Sequence, residues 1–336
     1  MTWQLIKRNN IDIDKWNYTV DNSANHHISG LSWYLDVVSP NWYGLVWNDY
    51  EIVFPFSKKK KYCIPYFMQP PMITHLRLYS LISINADIYI SLLETIKKNV
   101  LYADFYLENI EFTNDLIKQV RYNYILALKD IKDLHDVFSA HHLRKIKKIE
   151  KLNYQFIHLS NISEYFLDNY LCNSKYLIKL QNIRKIIIAL GKCFENKHIG
   201  GWWAIKQNDD ILSIALTSEY QDTLVLHAFA SNEIGKKQGA MHFLIYQIIK
   251  QAKNNNISLA GLSLPKDPST LNDKLMITRP IRSEMIVLFA YLETLLCLDI
   301  AYDNKNSDEK FLICQAMNQK IVSSFLENFC LNEENE

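Results

Sequence analysis

Glycine is scarce in this chain: 8 residues of 336, where ordinary usage of about 7% would give roughly 24. Collagen-like and Gly-rich low-complexity architectures are excluded, and a many-turned β-propeller becomes a poor fit. One-sided charge is absent too. Lys+Arg 37 against Asp+Glu 36 leaves a net charge of +1, so no global basic field exists for gripping nucleic acid, although a local patch stays open. The six cysteines (Cys63, Cys172, Cys193, Cys297, Cys314 and Cys330) include no two within four residues of each other. No CxxC zinc or redox unit is present, and the thiols read as reduced. The opening MTWQLIKRNN is too polar for a secretory h-region, which points to a cytoplasmic protein. A long hydrophobic run is also missing. Met285 to Tyr302 has the length of a membrane span, but Glu293 interrupts it and Asp299 follows. One acidic residue at mid-bilayer costs about 2.5–3.5 kcal/mol, so the segment reads as a buried helix.

What is present is a globular composition, 49% hydrophobic and 22% charged, at a length suited to two domains. Trp42 to Trp47 and Tyr50 to Phe56 flank Asn48-Asp49 and read as a hairpin. Lys58 to Lys61 reads as a solvated loop, followed by strand-like Tyr62 to Met68 and the turn Gln69-Pro70-Pro71. Ile90 to Val100 has helical spacing, and Ala103 to Leu107 and Tyr122 to Leu128 look like strands. Asp136 to Lys151 is an amphipathic helix whose outer face carries Arg144, Lys145, Lys147, Lys148 and Lys151. Lys175 to Phe194 reads as a helix. Gly201 to Gln207 and Ile211 to Ser218 form a hairpin, Thr223 to Ala230 a strand, Lys236 to Lys253 a helix, and Ile257 to Leu264 a last strand. Glu284 to Cys330 is apolar and helical in pattern, a tail that would bury itself on the second half or in a dimer contact.

Several strings carry a family resemblance. They are Ser32-Trp33-Tyr34-Leu35-Asp36, Ile64-Pro65-Tyr66-Phe67-Met68-Gln69-Pro70, Arg121-Tyr122-Asn123-Tyr124-Ile125-Leu126, Leu143-Arg144-Lys145-Ile146-Lys147-Lys148, and Ala230-Ser231-Asn232-Glu233 leading into Gly239-Ala240-Met241-His242. With the element order, they make Leu31 to Leu264 resemble the GNAT acyltransferase superfamily, in its tandem, FemAB-like form. The resemblance implies an α/β (α+β) fold of two tandem GNAT-like lobes, each a mixed, mostly antiparallel sheet flanked by helices. The expected division is an acceptor-side lobe over 1–120, a donor-side lobe over 121–283 and a helical tail over 284–336. It also implies transfer of an acyl group from acyl-CoA (acetyl-CoA) or aminoacyl-tRNA to an amine, a small molecule or cell-wall precursor.

The expected site follows from residue chemistry laid on that frame. Ser231 to Gly239 joins a strand to a helix. A helix start leaves free N–H groups that can hold a pyrophosphate, so Ser231, Gly235, Lys236, Lys237, Gln238 and Gly239 are the candidate cofactor residues. The family pattern has Arg or Gln where Lys236 stands and Gly or Ala where Met241 stands. Thr223 to Ala230 is expected to splay from Ile257 to Leu264 and expose amides that polarise a carbonyl. His227 on that strand is the first candidate base, with Asp36, Glu219 and Tyr220 behind it; a satisfied core histidine is the competing reading of His227. Tyr34, Tyr66 and Gln69 are candidates to orient an acceptor between the lobes. Arg144 and Lys148 are candidates for phosphate on tRNA or a lipid-linked precursor. The adjacent pairs His26-His27 and His141-His142 do not have metal-ligand spacing, so no metal is expected. Leu259 to Leu264 lacks the carboxylate and aromatic ring common in relatives, which keeps open a catalytically decayed binding or scaffold protein.

Overall fold

The computed structural model describes residues 2–61, 64–108, 117–136, 138, 140–160, 162, 167, 181–262 and 279–289. The first half runs β1 (Trp3–Lys7), α1 (Ile13–Asn22), α2 (Ser32–Val38), β2 (Tyr43–Trp47), β3 (Ile52–Phe56), β4 (Lys58–Lys61), β5 (Ile64–Met68), β6 (Tyr79–Ser80), α3 (Ala86–Asn99) and β7 (Tyr102–Glu108). The second runs β8 (Ile117–Ala127), α4 (Ala140–Glu150), β9 (Gln155–Leu159), α5 (Gln181–Asn196), β10 (Gly200–Gln207), β11 (Asp210–Tyr220), β12 (Thr223–Ser231), α6 (Glu233–Gln238), α7 (Ala240–Asn254), β13 (Leu259–Leu262) and β14 (Arg279–Phe289).

Local chemistry accounts for several boundaries. The Asp12 carboxylate accepts from Lys15 N at 3.1 Å and starts α1; Asn85 does the same for α3 through Ile88 N at 3.1 Å. The hairpin β2–β3 closes at Trp47↔Ile52 with Asn48 (φ 49) and Tyr50 (φ 63) left-handed. Its loop is therefore wider than the Asn-Asp turn expected, and the Tyr50 hydroxyl accepts from Asp12 N at 2.8 Å.

Strands β1-β2-β3-β6 form a four-stranded sheet, and β4-β5-β7-β14-β8-β13-β12-β11-β10-β9 form a ten-stranded one. Each half contains a parallel pair bridged by a helix, β5–β7 through α3 and β12–β13 through α7, because a parallel ladder needs a crossover. β14 lies antiparallel between β7 and β8, so the two lobes share one sheet. The expected boundaries at 120/121 and 283/284 consequently fall inside β8 and β14.

Three expectations are corrected. Lys58 to Lys61 is not a loop but the edge strand β4, paired with β5 from Lys58↔Phe67 to Lys61↔Ile64; lysines on an open edge oppose pairing with other chains. Residues 284–289 of the supposed tail helix are strand, because the β7 ladder takes them all in and the β8 ladder those up to Ile286; the remainder of that tail lies outside the described residues. The helix expected over 236–253 is broken at Gly239, whose φ of +80 closes α6 and opens α7.

Two apolar clusters hold the fold. One joins the first lobe (Trp16, Tyr34, Trp42, Phe54, Phe67, Phe105) to α5 and to Leu216, Val225 and Ala228 of the second. The other packs α4 and α7 against the opposite face through Ile146, Ile149, Leu226, Leu244 and Ile248. Cys193 is a free thiol; the other five cysteines lie outside the described residues. No helix among the described residues is long and apolar enough to cross a membrane.

Candidate functional site

β12 is the strand on which the site depends. It pairs with β13 from Thr223↔Leu259 to Leu226↔Leu262, which uses all of β13. Beyond Leu226 its ladder, among the described residues, is to β11 alone. Opposite β11 the register passes from Leu216↔Ala228 to Thr217↔Leu226, leaving His227 as an extra residue. A bulge of this kind bends the strand and leaves main-chain groups outside the ladder.

At the end of β12, Asn232 turns the chain. Its Oδ1 accepts from Gly235 N at 2.7 Å, its Nδ2 donates to Ile211 O at 3.0 Å, and its backbone N donates to Leu212 O at 3.1 Å. These bonds make α6 a capped helix seated on β11. The stretch 231–239 is thus not the open loop of amides expected. The Gly235 amide is taken by Asn232, and the Ser231 hydroxyl bonds Ser213 Oγ at 2.7 Å. Lys236 pairs with Glu233 at 2.8 Å, and Gln238 accepts from the Tyr154 hydroxyl. These four are corrected from ligand-binding to structural roles; Lys237 is exposed.

The start of α7 is bonded differently, with Gly239 and Ala240 both buried. Gly239 caps it without a side-chain bond; His242 N donates to Gly239 O at 3.0 Å, and the amides of Ala240 and Met241 come before the first bond of the helix. A Cβ at Gly239 would stand 3.3 Å from His242 Cδ2 and 3.4 Å from Lys145 Cδ. Lys145 Nζ in turn donates to His242 Nε2 at 3.2 Å. Lys145 and His242 stand in the strings that carry the resemblance but were not candidate site residues. Their meeting depends on α4 packing against α7 across 97 residues of chain, and the only local signal was the basic face of α4. Arg144 and Lys148 lie exposed on that helix.

The expected catalytic side chains do not converge here. His227 is 2% exposed; Ser218 Oγ lies 2.8 Å from Nε2, the Tyr34 hydroxyl 3.5 Å from Nδ1, and the Phe194 ring 4.8 Å away. Burial pushes its pKa down to about 3. It is corrected to a neutral core residue, since a base needs a lone pair that substrate can reach. Asp36 is bound by Arg8 at 2.6 and 2.7 Å and by Trp42 Nε1 at 2.9 Å, an ion pair that orients α2. Tyr220 donates to Asp21, and Gln221 Nε2 donates to Asp21 O at 2.9 Å, tying the lobes together. Glu219 and Tyr220 stand six and seven residues, or about 20–25 Å, along β11 from Ser213, which pairs with Ser231 at the α6 end. They therefore cannot share a site with Gly239.

The acceptor candidates are likewise enclosed. Tyr34 is fully buried, and its hydroxyl donates to Met72 O at 2.9 Å. Gln69 donates to Ile73 O and accepts from Tyr106 N at 2.8 Å, clamping the Pro70-Pro71 turn. Tyr66 is 8% exposed on β5. The lobes meet closely here, with Trp33 against Phe194 at 6.2 Å and Lys197 over the Trp33 ring at 5.0 Å.

The His227 geometry yields a pH prediction. A histidine whose folded pKa lies below its unfolded value near 6.5 leaves the unfolded chain binding more protons between the two values. Its contribution is present above pH 6.5 and is lost as pH falls toward 3. His227→Gln is expected to lose some stability at pH 7. Below pH 6.5 its stability should decline less steeply than the wild type's, by about 1.4 kcal/mol per pH unit. Urea unfolding at pH 7, 6, 5 and 4 checks this; parallel slopes would refute the assignment.

No family model and no curated protein matches the chain. Solved structures do. The structure titled FemX superposes with a TM-score of 0.58 at 11% identity, covering 84% of this chain and 97% of that one. L-PGS from Bacillus licheniformis superposes with a TM-score of 0.52 at 13% identity, covering 90% of this chain and 96% of that one. The fold is GNAT/FemAB-like, as the resemblance implied.

Proposed function

We propose that the chain is an N-acyltransferase or aminoacyltransferase that moves an acyl group from acyl-CoA or aminoacyl-tRNA to an amine. The observation that carries this reading is the run from the His227 bulge, along the part of β12 that among the described residues pairs with β11 alone, to the start of α7 beside Lys145. Both donor classes carry phosphate, which the positive end of a helix beside Lys145 favours. Lys145, held by His242, would supply the charge, and a group approaching Gly239 would have to displace the His242, Lys145 and Ile149 side chains that cover it. The acyl carbonyl would lie against main-chain amides near the bulge, which need no side chain to polarise it. The amine attacks the carbonyl carbon; the C–N bond forms, the C–S or C–O bond to the donor breaks, and the amine's proton passes to the departing sulfur or oxygen. A cell-wall precursor is one candidate acceptor, and a dimer contact through the part of the tail after β14 one candidate assembly.

The enclosure of His227, Asp36, Tyr34 and Tyr220 favours a second reading, a binding or scaffold protein on the same fold. Calorimetry with acetyl-CoA and with a charged tRNA tests both readings. Binding of either donor, weakened at least tenfold by Lys145→Glu, is expected. Binding without turnover of any amine supports the scaffold reading, and silence with both donors in folded protein overturns both.

A further inference from the structure

β4 is the first strand of the ten-stranded sheet, and among the described residues only β5 pairs with it. The direction of its free main-chain groups follows from that pairing. Leu101 N donates to Pro65 O at 2.9 Å, so the main chain of Pro65 is turned toward the β7 side. Lys60 stands opposite Pro65 in the antiparallel β4–β5 register. Opposed residues in such a ladder either exchange both bonds or both face outward, so the N–H and C=O of Lys60 point away from β5. Those of Lys58, two residues back, do the same. Donors and acceptors spaced as in a strand are thus left along this edge, and no other described group takes them.

The side chains select what can pair there. Lys58 and Lys60 lie on one face of β4 and Lys59 on the other. Lys59 and Lys60 are exposed, and Lys58 is half-buried opposite the fully buried Phe67. Among the described residues no carboxylate forms an ion pair with any of the three. Burial, and then the charge of Lys60 on the same face, push the Lys58 ammonium below its usual value, a cost that an incoming carboxylate relieves. The lysines oppose a second copy of the same edge, since β4 against β4 sets lysine opposite lysine. A strand of opposite sign is favoured by the same groups.

Main chain and charge together identify the class of partner. A nucleic acid or a lipid headgroup supplies phosphate oxygens but no ladder of N–H donors, so the Lys58 and Lys60 carbonyls would stay unmatched. An extended acidic peptide supplies both: N–H and C=O groups for the edge, and carboxylates for lysines on either face. The edge stands six strands from β12, about 29 Å along the sheet at 4.8 Å per strand. It is therefore distinct from the donor site and does not depend on that reading.

We propose that β4 is a docking edge for an extended acidic peptide segment of a partner protein, which adds a strand along Lys58 and Lys60 and sets its carboxylates against Lys58, Lys59 and Lys60. A fluorescein-labelled peptide of alternating Glu and Thr, followed by anisotropy on the full chain at about 0.15 M salt, tests it. The same peptide with Lys for Glu should not bind. Two further peptides carry N-methyl groups, one on the Glu amides and one on the Thr amides. An added strand turns only one of these sets toward the edge, so one of the two should bind at least tenfold more weakly than the parent. Lys58→Glu with Lys60→Glu should also weaken the parent peptide at least tenfold, while the same charge change at exposed Lys129 and Lys132 should not. No binding of the acidic peptide, binding of its Lys counterpart, or N-methylated peptides that both bind like the parent would overturn the proposal. So would displacement of the bound peptide by oligothymidylate at equal concentration, which would give the edge to phosphate instead. Should the double variant fail to fold, the comparison of the four peptides on the wild type still decides.

Discussion

Replacing Arg77 with alanine should destabilise the protein by about 3–5 kcal/mol, the cost of leaving one member of a buried ion pair without its partner. Arg77 is 7% exposed and Glu108 6%. Arg77 Nε donates to Glu108 Oε2 and its Nη2 to Oε1 at 3.3 Å, while His75 Nε2 stands 3.5 Å from Oε1. Burial alone would push the Glu108 carboxyl up, but the Arg77 charge and the His75 contact outweigh it and hold the pKa down to about 2. A carboxylate depressed in this way stabilises the fold above its unfolded pKa near 4.5, and that contribution is lost as pH falls from 4.5 toward 2. Without Arg77, burial dominates and the carboxyl protonates in the folded state at higher pH. The gap between wild type and variant should therefore be widest at pH 7 and narrow as pH falls to 4. Replacing both residues, Arg77→Leu with Glu108→Leu, should recover most of the loss, because no lone charge then remains buried. Denaturant unfolding of the three proteins at pH 7, 5.5 and 4 measures all of this. Equal losses for the single and double variants, or a gap that does not change with pH, would show that the pair does not act as described. Its position gives the effect structural weight: Glu108 ends β7 and pairs in register with Ser283 of β14, where the sheet passes from one lobe to the other.

The elements legible in the sequence were those set by short-range pattern. The β10–β11 hairpin, with Asn208 at φ 53, and the β12-to-α7 unit came through because alternation and turn chemistry are local signals. Lys58 to Lys61 did not, because its strand state is imposed by β5 rather than by its own side chains. Nor did the place of β14, since no local pattern says that a late strand inserts between β7 and β8. The site was read less well for a related reason. A histidine on a strand is chemically ambiguous until its neighbours are known, and those of His227 include Tyr34, 193 residues away. Asp36 is taken by Arg8, 28 residues earlier, and Lys145 meets His242 only through helix packing. Side-chain roles depended on contacts between elements, as did the strand state of Lys58 to Lys61, while most other elements were set by local pattern.

Gly235 and Gly239 both belong to the stretch singled out from sequence, yet alanine should affect them very differently. Gly235 lies within α6, where alanine ordinarily gains about 1 kcal/mol over glycine from helix propensity. Here its Cβ would fall 2.2 Å from Leu212 O, a backbone atom that also accepts from Asn232 N at 3.1 Å. The carbonyl cannot turn aside without losing that bond, so the helix must lift off β11. Overpacking of this kind costs about 1–3 kcal/mol or more, and the broken bond about 1 kcal/mol. Gly235→Ala should therefore destabilise by about 2–4 kcal/mol despite the propensity gain. Gly239 is the opposite case: its φ of +80 disfavours a side chain, but a Cβ there would meet side chains rather than backbone, those of His242, Lys145 and Ile149 at 3.3, 3.4 and 3.9 Å. Gly239→Ala should cost about 1 kcal/mol, mostly torsional. The two changes should also separate in function. Lifting α6 turns Gly239 and the first amides of α7 away from Lys145, so Gly235→Ala is expected to reduce coenzyme A binding at least tenfold with Lys145 intact. Thermal unfolding and calorimetric titration of both variants give the comparison. If Gly239→Ala proves the more destabilising, or if Gly235→Ala binds like the wild type, then α6 is not what positions the start of α7, and the donor site must be sought elsewhere in the fold.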